Sequence, residues 1–316
     1  MPSEGGLSIV PEDLRHSLGF PIMRNAQSSA TADMCAVIRG YHARFADDPV
    51  FPDTVAPALT SDRWWRVMES PFVRRFVIEG ALRPLHRAAG TVIGRARYVE
   101  DQLEEAIAYG CTQYVIVGAG MDSFAARRNS ALPRVRVIEL DHPATQRMKR
   151  ERLASLEGNP AAEVDYVPID FENDDIMNAL RRSSFDPNAI TMFSWMGVSY
   201  YLPRETVYDV IGQLGACGAP GSQIIFDYSV PSETHDPRRR LATKLVNTIT
   251  RHVGEPQVSS FECEDVRRRV HELGLDVVEI VTGEELRRSY FENRDDGLEP
   301  SSHIRLARIR SSLALV

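Results

Sequence analysis

Short apolar runs that alternate with helical patterns predict an open α/β sheet of seven mostly parallel strands, with helices on both faces. The alternation begins near residue 113, and a glycine-rich turn follows the first apolar run directly. The length of 316 residues allows one large α/β domain or two small ones. The predicted strands cover residues 114–117, 135–140, 164–169, 190–195, 223–228, 277–281 and 304–309.

The helical patterns lie between these runs and before the first of them. A helix over 98–109 is expected to end at Gly110, since glycine readily adopts the left-handed conformation that closes a helix. The position of the last strand, close to the end of the chain, suits an antiparallel strand inserted among parallel ones. Further helices are predicted over 142–156, 173–182, 204–214, 237–252 and 264–273.

The first 94 residues contain no convincing strand and mostly helical spacing, for example over 31–45. We therefore predict an N-terminal arm and helical cap over 1–94, and a ligand-binding α/β domain over 95–316. A lid within the cap is one hypothesis, although a solvated amphipathic helix with core tryptophans is favoured. The residues concerned are Arg63, Trp64, Trp65, Arg74 and Arg75.

The composition excludes several classes of protein. A formal net charge of −7 argues against broad binding to nucleic acid. The four cysteines form no CxxC pair, so neither a zinc ribbon nor a redox pair is expected. No secretory signal and no membrane-spanning run is apparent. We expect a cytoplasmic protein with neither nucleic-acid nor membrane partners, either a monomer or a homodimer.

The turn Gly118-Ala119-Gly120 ends the first predicted strand. In open α/β sheets ligands bind beyond the carboxyl ends of the strands, and glycine lets the backbone approach a ligand closely. Taken alone, the turn is explained equally well as a tight connection from strand to helix.

Acidic residues at the ends of the next two strands favour a nucleoside. Asp141 lies about 20 residues beyond the turn, where an acid accepts hydrogen bonds from ribose hydroxyls; it is also a candidate helix N-cap. Glu139 shares its face, as a second ribose ligand or a buried structural acid. Asp170 and Phe171 suit adenine through a carboxylate–amine bond and ring stacking, although alone they are better explained as a loop acid and a core aromatic.

Two other nucleotide sites fit poorly. The dinucleotide fingerprint requires a third glycine where this chain has Ser123, and a phosphate-binding Gly-Lys-Ser/Thr is absent from the sequence. Asp122 in the turn would repel a phosphate and favour a cationic ligand, such as a sulfonium that carries an α-ammonium group.

These segments resemble the leucine carboxyl methyltransferase family in its broad sense, which includes bacterial O-methyltransferases of specialised metabolism. The resemblance runs from about residue 95 to the C-terminus. Residues 118–127 resemble the family's GAGxDT/S…R signature, and 139–149 its acidic segment that ends in lysine. Residues 170–171 match its D-[LF] pair, and 197–202 match GVxxYL. The resemblance implies a Rossmann-like class I methyltransferase that uses S-adenosyl-L-methionine.

The resemblance also implies roles for individual residues. Arg95 would hold the cofactor carboxylate, for which a bidentate guanidinium is well suited, with Arg97 as the fallback. Many members carry glutamate where this chain has Met196, so backbone carbonyls at Trp195 or Gly118 would receive the ammonium group. The full set of implied cofactor-binding residues is Arg95, Gly118, Ala119, Gly120, Asp141, Asp170, Phe171 and Trp195.

Methyl transfer from a sulfonium is an in-line displacement, so the protein mainly aligns the donor and the acceptor. A carboxylate acceptor needs no base, a hydroxyl needs one, and a carbon beside a ketone needs a base or a metal. We expect the acceptor over the ends of strands four and five, beneath the N-terminal helices. Side chains expected to reach it are Tyr200, Tyr201, Asp227, Tyr228 and His235.

The candidates for catalysis are His235, His252, His303 and Tyr201. Each histidine alone is more often a satisfied surface or core residue. If two of the histidines meet, a general base with its orienting partner, or a zinc site, becomes possible; no metal ligands are assigned.

The favoured function is O-methylation of a small carboxylate or hydroxyl compound in specialised metabolism. The alternative is C-methylation of an α-keto acid, assisted by histidines or a divalent metal such as zinc. A non-catalytic module that retains the cofactor fold is a third hypothesis. The identity of the acceptor stays open.

Overall fold

A computed structural model describes residues 30–81, 85–127, 135–156, 164–171, 174–231 and 257–311. The predicted helix over 237–252 lies outside these ranges, as do the catalytic candidates His235 and His252.

The described residues form a seven-stranded sheet with the order β3-β2-β1-β4-β5-β7-β6. Strands β1 to β5 pair in parallel, and β7 is antiparallel to both of its neighbours. The seven predicted strands and the antiparallel last strand are therefore confirmed. The bounds are β1 Gln113–Val117, β2 Arg136–Asp141, β3 Asp165–Pro168, β4 Thr191–Trp195, β5 Gln223–Ser229, β6 Leu275–Thr282 and β7 Ile304–Ser311.

The helices lie before the sheet and between its strands. Their bounds are α1 Ala30–Phe45, α2 Ala56–Leu59, α3 Asp62–Met68, α4 His86–Ala108, α5 Phe124–Arg127, α6 Pro143–Leu153, α7 Ile176–Arg181, α8 Arg204–Cys217, α9 Cys263–Glu272 and α10 Gly283–Tyr290. A π-helix spans Val73–Ala81 and a 3-10 turn spans Ser199–Tyr201.

Helix α4 is longer than its sequence pattern predicts. It begins at His86 instead of residue 98, and it is followed by Gly110 with a positive φ of 95°. The helix therefore runs across the predicted boundary between residues 94 and 95, and the division into two domains stays a prediction.

Apolar side chains cover the sheet on both faces, as a buried parallel sheet requires. All five residues of β1 and of β4 are buried. On one face Val117, Trp195 and Phe226 belong to a core cluster with α7, α8 and α9. On the other face Tyr114 and Ile225 cluster with α4 and α10. Alternation along each strand therefore decides which helix a side chain meets.

A buried carboxylate attaches the N-terminal helices to the segment after β1. Asp53, fully buried, accepts hydrogen bonds from Arg39 Nε at 2.8 Å and from Ser123 Oγ at 2.6 Å. Arg127 Nε lies 3.3 Å from the same carboxylate, and the Arg127 guanidinium also pairs with Glu100 on α4. One ionic network therefore connects α1, α4 and the turn that leads into α5.

The surrounding cations keep Asp53 ionised. Burial by itself would raise the pKa of Asp53, but the charges of Arg39 and Arg127 outweigh burial and lower it below the ordinary value. Because the folded-state pKa lies below the unfolded one, this stabilisation is present above the unfolded pKa of about 4 and is lost as the pH falls through the folded pKa.

Asp53→Asn should lower the free energy of unfolding by about 3 to 5 kcal/mol, because it leaves the buried Arg39 guanidinium without its counter-ion and leaves Arg127 with Glu100 as its remaining carboxylate partner. Urea unfolding at pH 7 measures the loss, and the difference from wild type should shrink in acid. Asp47→Asn, at an exposed position, is the matched control. Equal unfolding midpoints for Asp53→Asn and wild type would contradict the assigned role.

Candidate functional site

The glycine turn lies at the point where the strand order reverses, between β1 and β4. Gly118 and Gly120 have positive φ values of 65° and 52°. A Cβ on Gly118 would lie only 2.7 Å from Cγ2 of Val198, in the loop after β4. A side chain at Gly118 is therefore excluded both by backbone strain and by a close neighbour.

The acid at the end of β2 is bonded to that turn. Asp141 Oδ2 accepts a hydrogen bond from Gly120 N, and Oδ1 accepts one from His142 N at 2.5 Å. Burial raises the pKa of Asp141, against the opposing effect of these two backbone bonds. The N-cap of α6 is His142, whose Nδ1 accepts from Ala144 N at 3.2 Å, so Asp141 is not the cap.

Glu139 is a buried structural acid, one of the two alternatives that the sequence leaves open. Its Oε2 lies 2.6 Å from Lys149 Nζ, and both side chains are almost completely buried. Burial raises the pKa of Glu139 to about 7, although Lys149 lowers it. Within the described part of the chain, Oε1 has no hydrogen-bond partner.

Asp170 and Phe171 follow β3, which pairs with β2 on the side away from β1 and the glycine turn. The Asp170 N–H donates to Asp174 Oδ2 at 2.8 Å. The side chains of Asp170 and Phe171 are both half-buried. Phe171 packs against the core cluster on the α8 face of the sheet. The pair therefore occupies the same edge as the glycine turn, with the ring partly in the core.

Arg95 lies on the other side of the turn, in a buried position on α4. Its Nη1 donates to Asp227 Oδ2 at 2.7 Å and to the Tyr200 hydroxyl at 2.9 Å. Its Nη2 is 3.6 Å from Cys35 Sγ. In the loop after β4, Gly197 adjoins the Arg95 guanidinium and Val198 adjoins Gly118. This loop therefore brings Arg95 and the glycine turn together.

Arg97, the fallback for Arg95, lies on a different face of α4. It is exposed and pairs with Asp101 at 2.8 Å, one helical turn away. Residues two apart on a helix do not share a face, which explains why only Arg95 reaches this edge of the sheet.

Asp227 and Tyr228, both expected at the acceptor site, point to opposite faces of the sheet. Asp227 faces α4 and bonds Arg95 and Gly197, a connection that sequence reasoning missed. The expectation for Tyr228 is wrong: its hydroxyl donates to Cys263 Sγ at 3.5 Å, and its ring packs beside Phe261. Alternation along β5 is the physical reason, since adjacent side chains leave a strand on opposite faces.

Two of the four catalytic candidates are described. Tyr201 is half-buried, and its ring centroid is 4.8 Å from that of Tyr200. His303 is also half-buried and immediately precedes β7; its carbonyl accepts a bond from Val230 N at 2.8 Å, at the carboxyl end of β5. Burial lowers the pKa of His303, with a further contribution from Arg305.

The described residues contain no group of three or more metal-ligating side chains. That search does not extend to His235 and His252, so the zinc alternative stays a prediction. Similarly, in the described part of the chain no helix is long and apolar enough to cross a membrane.

The described lid candidates contact other residues of the cap. Trp65 stacks on Phe45 with 6.2 Å between ring centroids, and the Arg74 guanidinium lies 4.3 Å from the centroid of the same ring. Arg75 is exposed and pairs with Glu79. A lid function for these residues stays a prediction.

Comparisons with known proteins agree with this architecture. The family model for leucine carboxyl methyltransferase matches residues 32–215. YktD of Bacillus subtilis (strain 168), provisionally named an S-adenosyl-L-methionine-dependent methyltransferase, is 29% identical over 293 residues, 87% of this chain and 95% of YktD. A Mycobacterium avium (strain 104) protein with the same provisional name is 33% identical over 221 residues, 67% of this chain and 70% of the relative.

A solved structure shows the same fold. The crystal structure of a DUF574 family protein from Streptomyces avermitilis aligns with a TM-score of 0.58 at 16% identity, covering 91% of this chain and 99% of that one. The seven-stranded sheet is thus the Rossmann-like methyltransferase sheet that the resemblance implied. This chain belongs to the leucine carboxyl methyltransferase family, and it is a methyltransferase that uses S-adenosyl-L-methionine as its methyl donor.

Proposed function

We propose that this enzyme transfers the methyl group to an oxygen, in a carboxylate or a hydroxyl, of a small molecule of specialised metabolism. The observation that carries the placement of the methyl donor is the position of Arg95, Gly118 and Asp141 around one edge of the sheet, at the switch point. A donor bound along this edge would face the space beyond β4 and β5, where the acceptor has to enter for an in-line attack.

The cofactor would extend from α4 across the tips of β1, β2 and β3. In this arrangement Arg95 receives the carboxylate of the methionine part, and the carbonyl of Trp195 receives its ammonium group. The backbone of Gly118, Ala119 and Gly120 lines the methionine part and the sulfonium. Asp141 keeps free acceptor positions for ribose hydroxyls, because an ionised carboxylate has about four and the backbone takes two of them.

The adenine would lie at the end of β3, where Asp170 accepts from its exocyclic amine and Phe171 contacts its face. Both residues are half-buried, so each retains an accessible surface. Partial packing of Phe171 in the core supports this role, because it limits the orientations that the ring can adopt.

The need for a base depends on the acceptor. A carboxylate attacks the methyl group directly. A hydroxyl has to lose its proton, and His303 is a described histidine at the carboxyl end of β5. Its lowered pKa keeps it neutral and able to accept a proton at pH 7. Tyr201, in the 3-10 turn after β4, would orient the acceptor. His235 and His252 remain further candidates.

The direct test is a screen of cofactor turnover with carboxylic acids, phenols and α-keto acids, in which product mass and fragmentation locate the methyl group. We expect the methyl group on oxygen. If the enzyme methylates an α-keto acid on carbon, and if chelation of divalent metal abolishes that activity, the alternative reaction is favoured. Failure of calorimetry to detect binding of S-adenosylmethionine or S-adenosylhomocysteine would contradict every enzymatic hypothesis.

Asp141→Ala should weaken S-adenosylhomocysteine binding by about 1.5 to 3 kcal/mol, as expected for loss of a hydrogen bond to a charged group. Calorimetry measures the change, and Asp209→Asn, at an exposed position on α8, is the control. Asp141→Asn tests whether an amide that still accepts from Gly120 N restores part of the affinity. Unchanged affinity in Asp141→Ala would exclude the ribose assignment.

His303→Gln should lower kcat by about 100-fold or more for a hydroxyl acceptor, and leave it nearly unchanged for a carboxylate acceptor. In wild type, kcat for the hydroxyl should rise with pH through the pKa of His303, which lies below 6.5, and level off above it, because only neutral imidazole accepts a proton. His271→Gln, at an exposed position on α9, is the control. A wild-type pH profile retained in His303→Gln would assign the base elsewhere.

A further inference from the structure

We propose that Asp227 is a positioning residue for the cofactor, which holds Arg95 and the Gly197 turn in the arrangement that receives the amino-acid end of S-adenosylmethionine. This inference rests on the proposed role of Arg95 as the carboxylate ligand. No contact between Asp227 and the cofactor is required, since Asp227 acts through its two partners.

Asp227 is a fully buried carboxylate whose two oxygens have different partners. Oδ1 accepts from Gly197 N at 2.7 Å, and Oδ2 accepts from Arg95 Nη1 at 2.7 Å. A buried charge is strongly destabilising unless it is paired and hydrogen-bonded, so these two bonds favour a single arrangement. They join three separate parts of the fold: β5, α4 and the loop after β4.

The Gly197 turn and the Arg95 guanidinium fit closely together. Gly197 has a φ of 78°, and a Cβ at this position would lie 2.7 Å from Arg95 Nη2. The neighbouring Val198 contacts the position where Gly118 would carry a Cβ. A displacement of the loop would therefore disturb both the arginine and the glycine turn, and Asp227 restrains the loop at Gly197 N.

The bond to Asp227 also determines which edge of the guanidinium remains for a ligand. Nη1 is engaged by Asp227 and Tyr200, whereas Nη2 faces the thiol of Cys35, a weak acceptor, at 3.6 Å. A ligand carboxylate is a much stronger acceptor and would replace the thiol at Nη2. Without Asp227 the guanidinium could rotate, and the Nη2 edge would lose its fixed direction.

The charge of the pair suits the carboxylate of the ligand as well. Both oxygens of Asp227 are already bonded, to Arg95 and to Gly197 N, so Arg95 is the member of the pair that meets the ligand. Burial would lower the pKa of Arg95, but Tyr200 and Asp227 raise it well above its ordinary value, so the guanidinium stays charged. Met196, between β4 and Gly197, contributes no charge of its own.

Two ligands separate this role from a purely structural one. S-adenosylhomocysteine has the amino-acid end, and 5′-methylthioadenosine has the same nucleoside without it. Asp227→Asn should raise the Kd of S-adenosylhomocysteine about 10-fold or more, and leave the Kd of methylthioadenosine within about 2-fold, as measured by calorimetry. Asp227→Glu, which keeps the charge, should recover part of the affinity for S-adenosylhomocysteine and serves as the second variant if Asp227→Asn does not fold. Asp295→Asn, at an exposed position, is the control.

Arg95→Gln, alone and combined with Asp227→Asn, completes a double-mutant cycle. If Asp227 acts through Arg95, the effect of Asp227→Asn on S-adenosylhomocysteine should disappear in the Arg95→Gln background. Equal weakening of both ligands, no weakening, or an effect that persists without Arg95 would overturn the inference. If Arg95→Gln changes the Kd of both ligands by the same factor, the proposed role of Arg95 is refuted instead. If the wild type binds neither ligand, the proposed function is refuted.

Discussion

The cofactor edge depends on the ionic bonds that Asp53 makes with Arg39 and Arg127. Through them α1 is held against the segment that follows the glycine turn. The same helix places Ala32 against Gly120, at 3.0 Å from the position of a Cβ there, and Cys35 beside Arg95. The N-terminal helices thus form part of the wall of the site, and the network that stabilises the fold also shapes the place where the methyl donor is proposed to bind.

The acids around this edge fall into two groups according to their partners. Asp53, Glu139 and Asp227 are fully or almost fully buried, and each pairs with a cationic side chain. Asp141 instead bonds backbone N–H groups at the tip of β2, and within the described residues it has no ion pair. Its remaining acceptor positions therefore suit neutral hydroxyl groups, whereas the charges of the other three are already compensated. This difference in partners separates a candidate ligand-binding acid from acids that maintain the architecture.

Local patterns were sufficient for the strands, the glycine turn and the acid at the tip of β2, because each depends on a few adjacent residues. They were insufficient where partners are distant in sequence. Ser123 looked only like a failed third glycine, but its hydroxyl donates to Asp53, 70 residues away. Asp227 meets Arg95 across 132 residues.

Helix α10 was missed although Thr282 and Glu285 form a capping box, a signal that four residues of sequence contain. Tyr228 was misplaced because adjacent side chains alternate along β5, so Asp227 and Tyr228 cannot face the same side of the sheet.

We propose that the methyl donor lies along the tips of β1, β2 and β3, with its amino-acid end at Arg95. A crystal structure of the complex with S-adenosylhomocysteine tests this most directly. We expect ribose hydroxyls on Asp141 and the ligand carboxylate on Arg95 Nη2, with the bond between Arg95 and Asp227 retained. Electron density that places the ligand carboxylate away from Arg95, or the nucleoside away from the tip of β2, would contradict it.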